Sequence, residues 1–185
     1  RNAAVGSALY MHNSAVDITN SLFHNNETRA SIGNSDSYNS NAVIYYQGGP
    51  VLYESNNWSG TKAILANNTI ANNIATSEKS NSWITSGVHY CNHDNTEGSD
   101  PVVYAFNNII YGNKSGSKTE EFQLQLHCGN PVFYMDYNLI YNLDNLENSG
   151  GGTAKKYFSY DYSIDVDPGF KDTANGDYSL ANASL

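Results

Sequence analysis

Apolar and polar residues alternate in short runs along this chain, and each run stops at a polar pair. One block shows the pattern four times: VDITNSLFHNN from Val16, AILANNTIANN from Ala63, VYAFNNIIYGN from Val103 and FYMDYNLIYNL from Phe133. Alternation with a period of two is the signature of a half-buried strand. The polar pair interrupts it at the same point each time. Asn tolerates left-handed backbone angles, and its amide bonds both to backbone and to another amide. The pairs therefore predict bends, with Asn68, Asn108 and Asn138 stacked as a ladder and Ser21 in the matching place of the first block. A second column, Asn26, Asn73 and Asn113, follows three residues after Phe23, Ile70 and Ile110, which the alternation turns inward.

Another short strand precedes each block: GSALYMHN from Gly6, NAVIYYQG from Asn41, SGVHYCNH from Ser86 and QLQLHCGN from Gln123. Aligned on their aromatic and Cys residues, these place Tyr10, Tyr45, Tyr90 and His127 in one column. Met11, Tyr46, Cys91 and Cys128 then form the next. That register predicts Cys91 over Cys128 at a spacing a disulfide tolerates, with stacked free thiols as the alternative. The blocks are unevenly spaced, which suits strands of constant length joined by loops of variable length. The loops 27–40, 74–85 and 92–101 are rich in Ser, Asn, Thr and Gly and read as surface excursions. Period 3.6 is absent, so no helix is expected. The pattern predicts an all-β chain stacked as a parallel solenoid, about four to five coils in 1–160 and a closing segment of the same solenoid in 161–185.

Composition changes the picture in one respect. Charged residues are only 15% of the 185 residues, below the roughly 25% of ordinary domains. Asn, Ser, Thr and 15 Tyr take their place, giving a polar but uncharged surface that suits an exported protein. No apolar run approaches the length of a membrane span. A net charge of −9 with nine Lys and Arg argues against nucleic acid as a partner. The two cysteines lack zinc-ligand spacing, and an even count permits one disulfide after export. The chain opens Arg-Asn-Ala-Ala-Val-Gly, without initiator Met or leader, and is expected to be a segment of a longer protein with adjoining domains.

These blocks resemble the right-handed parallel β-helix repeat proteins of bacterial surfaces, within the pectate-lyase-like solenoid superfamily. GSALYM with VDITNSLFHNN is similar to their common coil, and NNIIYGN and YNLIYN to their later coils. The ending DPGFKDTANGDYSLANASL is similar to the DPxF…GDYxL segment with which many of them close. The resemblance implies a right-handed parallel β-helix and a secreted or cell-surface location on a bacterium. It implies no single activity, because the same solenoid serves lyases, hydrolases, adhesins and phage spikes.

No catalytic residue emerges from the candidates. A polysaccharide lyase needs a cation to neutralise the substrate carboxylate and a base beside it. Arg1 and Arg29 sit in no RxPxxR-like setting, and Lys62 and Lys114, the remaining cations, are more commonly explained as solvated loop lysines. A hydrolase needs paired carboxylates, yet Glu54, Asp94, Asp100 and Asp136 are isolated along the chain. His89, His93 and Asp94 form a weak metal set with His127, against a commoner role as ladder or surface residues. Asp165, Asp167, Asp172 and Asp177 form an oxygen-rich tail that suits Ca²⁺, although Asp is an ordinary turn former. Tyr46, Tyr53, Trp58 and Trp83 are candidates for stacking on sugar rings, against the alternative that they cover the coils. The expected function is non-catalytic: a secreted or cell-surface module that binds glycans or supports adhesion. The alternative is a carbohydrate-active enzyme, a polysaccharide lyase or glycoside hydrolase, with catalytic coils partly outside this chain.

Overall fold

The computed structural model describes residues 6–12, 15–30, 42–48, 62–77, 87–92, 102–115, 124–127, 132–141, 157–159 and 162–182. Val, Ile, Thr and Tyr at alternate positions favour extended backbone, and these segments are almost entirely strand. The first repeat holds β1 (Gly6–His12), β2 (Val16–Thr19), β3 (Leu22–His24) and β4 (Glu27–Ala30). The second holds β5 (Ala42–Gly48), β6 (Lys62–Ala66), β7 (Thr69–Ala71) and β8 (Ile74–Ser77). The third holds β9 (Val88–Asn92), β10 (Val102–Phe106), β11 (Ile109–Tyr111) and β12 (Lys114–Ser115). Then come β13 (Leu124–His127), β14 (Val132–Asp136), β15 (Leu139–Ile140), β16 (Tyr157–Ser159), β17 (Phe170–Asp172) and β18 (Asp177–Leu180).

Four sheets collect β1 to β16 in the orders β1-β5-β9-β13, β16-β14-β10-β6-β2, β15-β11-β7-β3 and β12-β8-β4. Every pairing within them is parallel. Each of the first three repeats gives one strand to each sheet in turn before the chain returns to the first sheet. The protein is all-β, and the helical element among the described residues is one 3-10 turn, Thr173–Asn175. No described helix is long and apolar enough to cross a membrane.

Register sets the core. In the second sheet Val16, Ala63, Val103 and Phe133 align, as do Ile18, Leu65, Ala105 and Met135. In the third, Phe23, Ile70, Ile110 and Ile140 align. Ile70, Met135 and Ile140 are completely buried. Ala105 lies between Leu65 and Met135, so a small side chain makes room for two long ones. Val16 and Phe23 are only partly buried, because β2 and β3 are edge strands with a neighbour on one side.

The first sheet corrects the expected columns. Tyr10 does align with Tyr45, but Tyr45 then meets His89 and Gln125. Met11 is followed by Tyr46, Tyr90 and Leu126, and His12 by Gln47, Cys91 and His127. The deciding column is Leu9, Ile44, Val88 and Leu124. Val88 is buried and Leu9 packs on the core. A slip of one residue would exchange the two faces of the strand and put His89 in that place. Aliphatic burial outweighs any match between aromatic residues. Cys91 consequently pairs with His127, which removes the in-register stacking on which a bond to Cys128 was expected; Cys128 lies outside the described residues.

Residues 170–180 end the parallel order. β17 and β18 form an antiparallel hairpin, and its rings lie against the third sheet: Tyr178 on His24 at 4.7 Å, Phe170 on Tyr111 at 6.3 Å.

Candidate functional site

Among the described residues one bend recurs five times and a second three times, and each uses two adjacent residues for two different tasks. The first residue turns the backbone through the left-handed region: Asn20, Asn67, Asn107, Tyr137 and Tyr162 at one bend, Asn25, Asn72 and Gly112 at the other. The second residue, Ser21, Asn68, Asn108, Asn138 or Ser163 at the first bend, holds the repeats together. Asn68 Nδ2 donates to Ile18 O and to Asn108 Oδ1, and Asn108 Nδ2 donates to Leu65 O and to Asn138 Oδ1. Asn138 Nδ2 donates to Ala105 O at 2.8 Å. The backbone N–H groups of Ser21, Asn68 and Asn108 each donate to the Oδ1 of the next amide at 3.0 Å. Asn26, Asn73 and Asn113 repeat the device at the second bend. A buried amide with all its partners stabilises, and one without them costs heavily.

Ser163 extends the first ladder by one repeat, a position the block pattern missed. Its hydroxyl accepts from Asn138 N at 3.2 Å and donates to Met135 O at 2.9 Å. The carbonyl series Ile18, Leu65, Ala105, Met135 is thereby continued. The signal was present in Asp-Tyr-Asn at 136–138 and Asp-Tyr-Ser at 161–163. β16 pairs in register with β14, and Ile164 bridges to Leu139.

The outer side of the second sheet leads up to this bend. Along it Asp17, Ile64, Tyr104, Tyr134 and Ser159 align, and beside them Thr19, Ala66, Phe106 and Asp136. Tyr104 and Tyr134 are stacked at 5.1 Å. At the bend itself Tyr137 and Tyr162 are stacked at 4.9 Å with 7° between their planes. Both sit at φ 59°, where a residue with a bulky side chain is an outlier. Exposure rises along the strip: Phe106 37%, Tyr134 43%, Tyr137 60% and Tyr162 74%. Four aromatic rings are therefore exposed along the outer side of this sheet and its bend. Nothing in the block pattern distinguished these rings from those that cover the core.

The residues singled out from the sequence are dispersed. Tyr46 lies on β5 between Met11 and Tyr90, while Tyr53, Trp58 and Trp83 fall outside the described residues. Lys62 begins β6 of the second sheet and Lys114 begins β12 of the fourth, so the two are not brought together. Glu54, Asp94, Asp100 and His93 lie outside the description. The carboxylates expected to hold Ca²⁺ are not assembled: among the described residues no three His, Cys, Asp or Glu side chains group to hold a metal ion. Three of them instead order their own turns. Asp167 accepts from Gly169 N, Asp172 from Asn175 N and Nδ2, and Asp177 from Ser179 N and Oγ. The Ser179 hydroxyl and N–H hold the Asp177 carboxyl below its ordinary pKa.

No family model, curated protein or solved structure matches this chain.

Proposed function

We propose that this chain is part of a non-catalytic, right-handed parallel β-helix module, secreted or carried on a bacterial surface, that binds glycans. The cyclic order of four parallel sheets, the two Asn ladders and the closing DPGF…GDYSL segment support the solenoid and its kinship with surface β-helix repeat proteins. The observation that carries the binding reading is the exposed strip of Phe106, Tyr134, Tyr137 and Tyr162. Rings held in water cost solvation free energy unless a partner covers them. The flat, weakly polar C–H face of a pyranose suits a tyrosine ring, whose hydroxyl stays wet. Backbone strain at Tyr137 and Tyr162 points the same way, since strained positions cluster at binding sites.

Affinity electrophoresis through gels containing soluble polysaccharides tests the reading. Retardation of the protein by at least one glycan is expected, and it should be lost in Tyr137→Asn/Tyr162→Asn. Asn is the residue at the equivalent positions 20, 67 and 107, so the bend itself is preserved. Retardation that survives the double substitution would remove the strip from the site.

A further inference from the structure

The second bend of this protein already holds an aromatic alcohol. The Tyr178 hydroxyl, reaching in from the hairpin, donates to Asn25 Oδ1 and accepts from Asn72 Nδ2, each at 3.2 Å. Asn25 and Asn72 are the left-handed residues of successive repeats, at φ 53° and 54°. Two stacked corner amides thus receive one hydroxyl as donor and acceptor together, while its ring packs on His24 and Phe170 at 4.7 and 5.1 Å. The first bend carries the same row, Asn20, Asn67 and Asn107, at φ 51°, 57° and 57°. Those three residues are exposed, and among the described residues no side chain bonds to their amides.

That row runs into the tyrosine stack. Asn107 and Tyr137 are neighbours along the bend, because Phe106 pairs with Asp136 on one side and Asn108 bonds to Asn138 on the other. Tyr162 covers one face of Tyr137, Asn107 stands on the side away from Tyr162, and Tyr137 remains 60% exposed. On the adjoining outer face Asp17 and Asp136 are acidic, and the alternation of β6 places Lys62 on the same face, two residues before Ile64.

We infer that the first bend binds a neutral oligosaccharide along Asn20, Asn67 and Asn107, with one sugar ring resting against the exposed part of Tyr137. This rests on the glycan-binding reading and adds its polarity and its hydroxyl-reading groups. The amides repeat at the strand spacing of about 4.8 Å. Each can donate to one hydroxyl and accept from the next, as Asn25 and Asn72 do with Tyr178. A uronic acid polymer would bring its carboxylates toward Asp17 on a chain whose net charge is already −9.

Isothermal titration of the purified chain against neutral gluco- and manno-oligosaccharides, and against oligogalacturonate, tests this. Asn67→Gly and Asn107→Gly, singly and together, remove the amides while retaining a residue that accepts left-handed backbone without strain. Binding of a neutral oligosaccharide, weakened at least tenfold in the double variant with an unchanged melting temperature, is the expected result. Wild-type affinity in the double variant, with binding lost in Tyr137→Asn, would overturn the amide row and leave the glycan reading standing. Tighter binding of oligogalacturonate than of any neutral oligosaccharide would overturn the inference as well. Binding to neither class would bring down the reading and the inference together.

Discussion

Asn108 receives both the backbone N–H and the side-chain Nδ2 of Asn68 on its Oδ1, each at 3.0 Å. Its own Nδ2 donates to Leu65 O at 2.8 Å and Asn138 Oδ1 at 2.9 Å. Both donors and both acceptor positions of the amide are filled at a site with 2% exposure. Asn108→Leu keeps the approximate size but leaves Asn68 N–H and Leu65 O without partners in a low dielectric. The loss should be roughly 3 kcal/mol, at about 1–3 kcal/mol per orphaned group. Asn107→Gly, one residue earlier, should change stability by less than about 0.5 kcal/mol. Urea unfolding of the two variants separates a ladder from a merely polar bend, and equal losses would contradict the division of tasks.

That division shows how far the sequence could be read. The alternation around Ile18, Leu65, Ile70 and Ile110 exposed the inward positions, because period two leaves little choice once one face is dry. The ladder was legible because Asn recurs where few other side chains can serve. Asn suits both tasks, yet placing the second member of each pair in the ladder leaves the left-handed turn to the first, as the structure has it. Identity of Tyr and Cys residues gives the wrong register for the first sheet, because the burial of Leu9 and Val88 decides it. Ser163 was hidden by the change from Asn to Ser. The exposed strip was hidden because a tyrosine in a strand reads the same whether it covers a core or faces water.

Gly112 stands where the earlier repeats place Asn25 and Asn72, and its φ is 67°. A Cβ there would collide with Asn72 Oδ1. Gly112→Ala should therefore cost about 2 kcal/mol, combining left-handed strain with the clash. Measured against Asn72→Gly alone, which loses the hydrogen bond to Tyr178, the double variant should recover the steric part while leaving the strain. Thermal melts of the single and double variants measure the two shares, and no recovery would mean that the clash is relieved by rotation of Asn72.

Tyr178 fastens the hairpin to residues far away in sequence, Asn25 and Asn72. Tyr178→Phe leaves the ring packing on His24 but removes both hydrogen bonds, at a cost of about 1 kcal/mol. Tyr178→Ala also empties a site that is 7% exposed and should cost about 3 kcal/mol or more. Hydrogen exchange at residues 170–180 should quicken in both variants, more so in the second. Unchanged exchange in Tyr178→Ala would show that the hairpin is held by other contacts.

Asp177 gives a pH dependence of known sign. Its hydrogen bonds from the Ser179 hydroxyl and N–H favour the ionised form and lower its pKa. The stabilising contribution is therefore complete above the ordinary carboxylate range and disappears as pH falls through the lowered value. Carboxyl-carbon NMR titration should show Asp177 rising toward an ordinary value in Ser179→Ala. An identical titration in both proteins would assign the effect to something other than the hydroxyl.

The tyrosine stack sets strain against attraction, and the two can be separated. Tyr137 and Tyr162 each hold a left-handed backbone that Asn adopts more easily, by about 1 kcal/mol. Their stacking at 4.9 Å returns roughly 1 kcal/mol for the pair. Either single change to Asn relieves one strained residue and loses the whole stack, so Tyr137→Asn or Tyr162→Asn alone should be close to neutral. The double variant relieves both and loses the same single stack, which should leave it about 1 kcal/mol more stable than wild type. For a chain of this length that is a rise in melting temperature of about 3 °C. The departure from additivity, read from a double-mutant cycle, measures the stack directly. A double variant that gains stability while losing glycan retardation would mean that this corner is kept strained for binding. A double variant that is less stable than either single would mean that the rings are there to hold the last two repeats together.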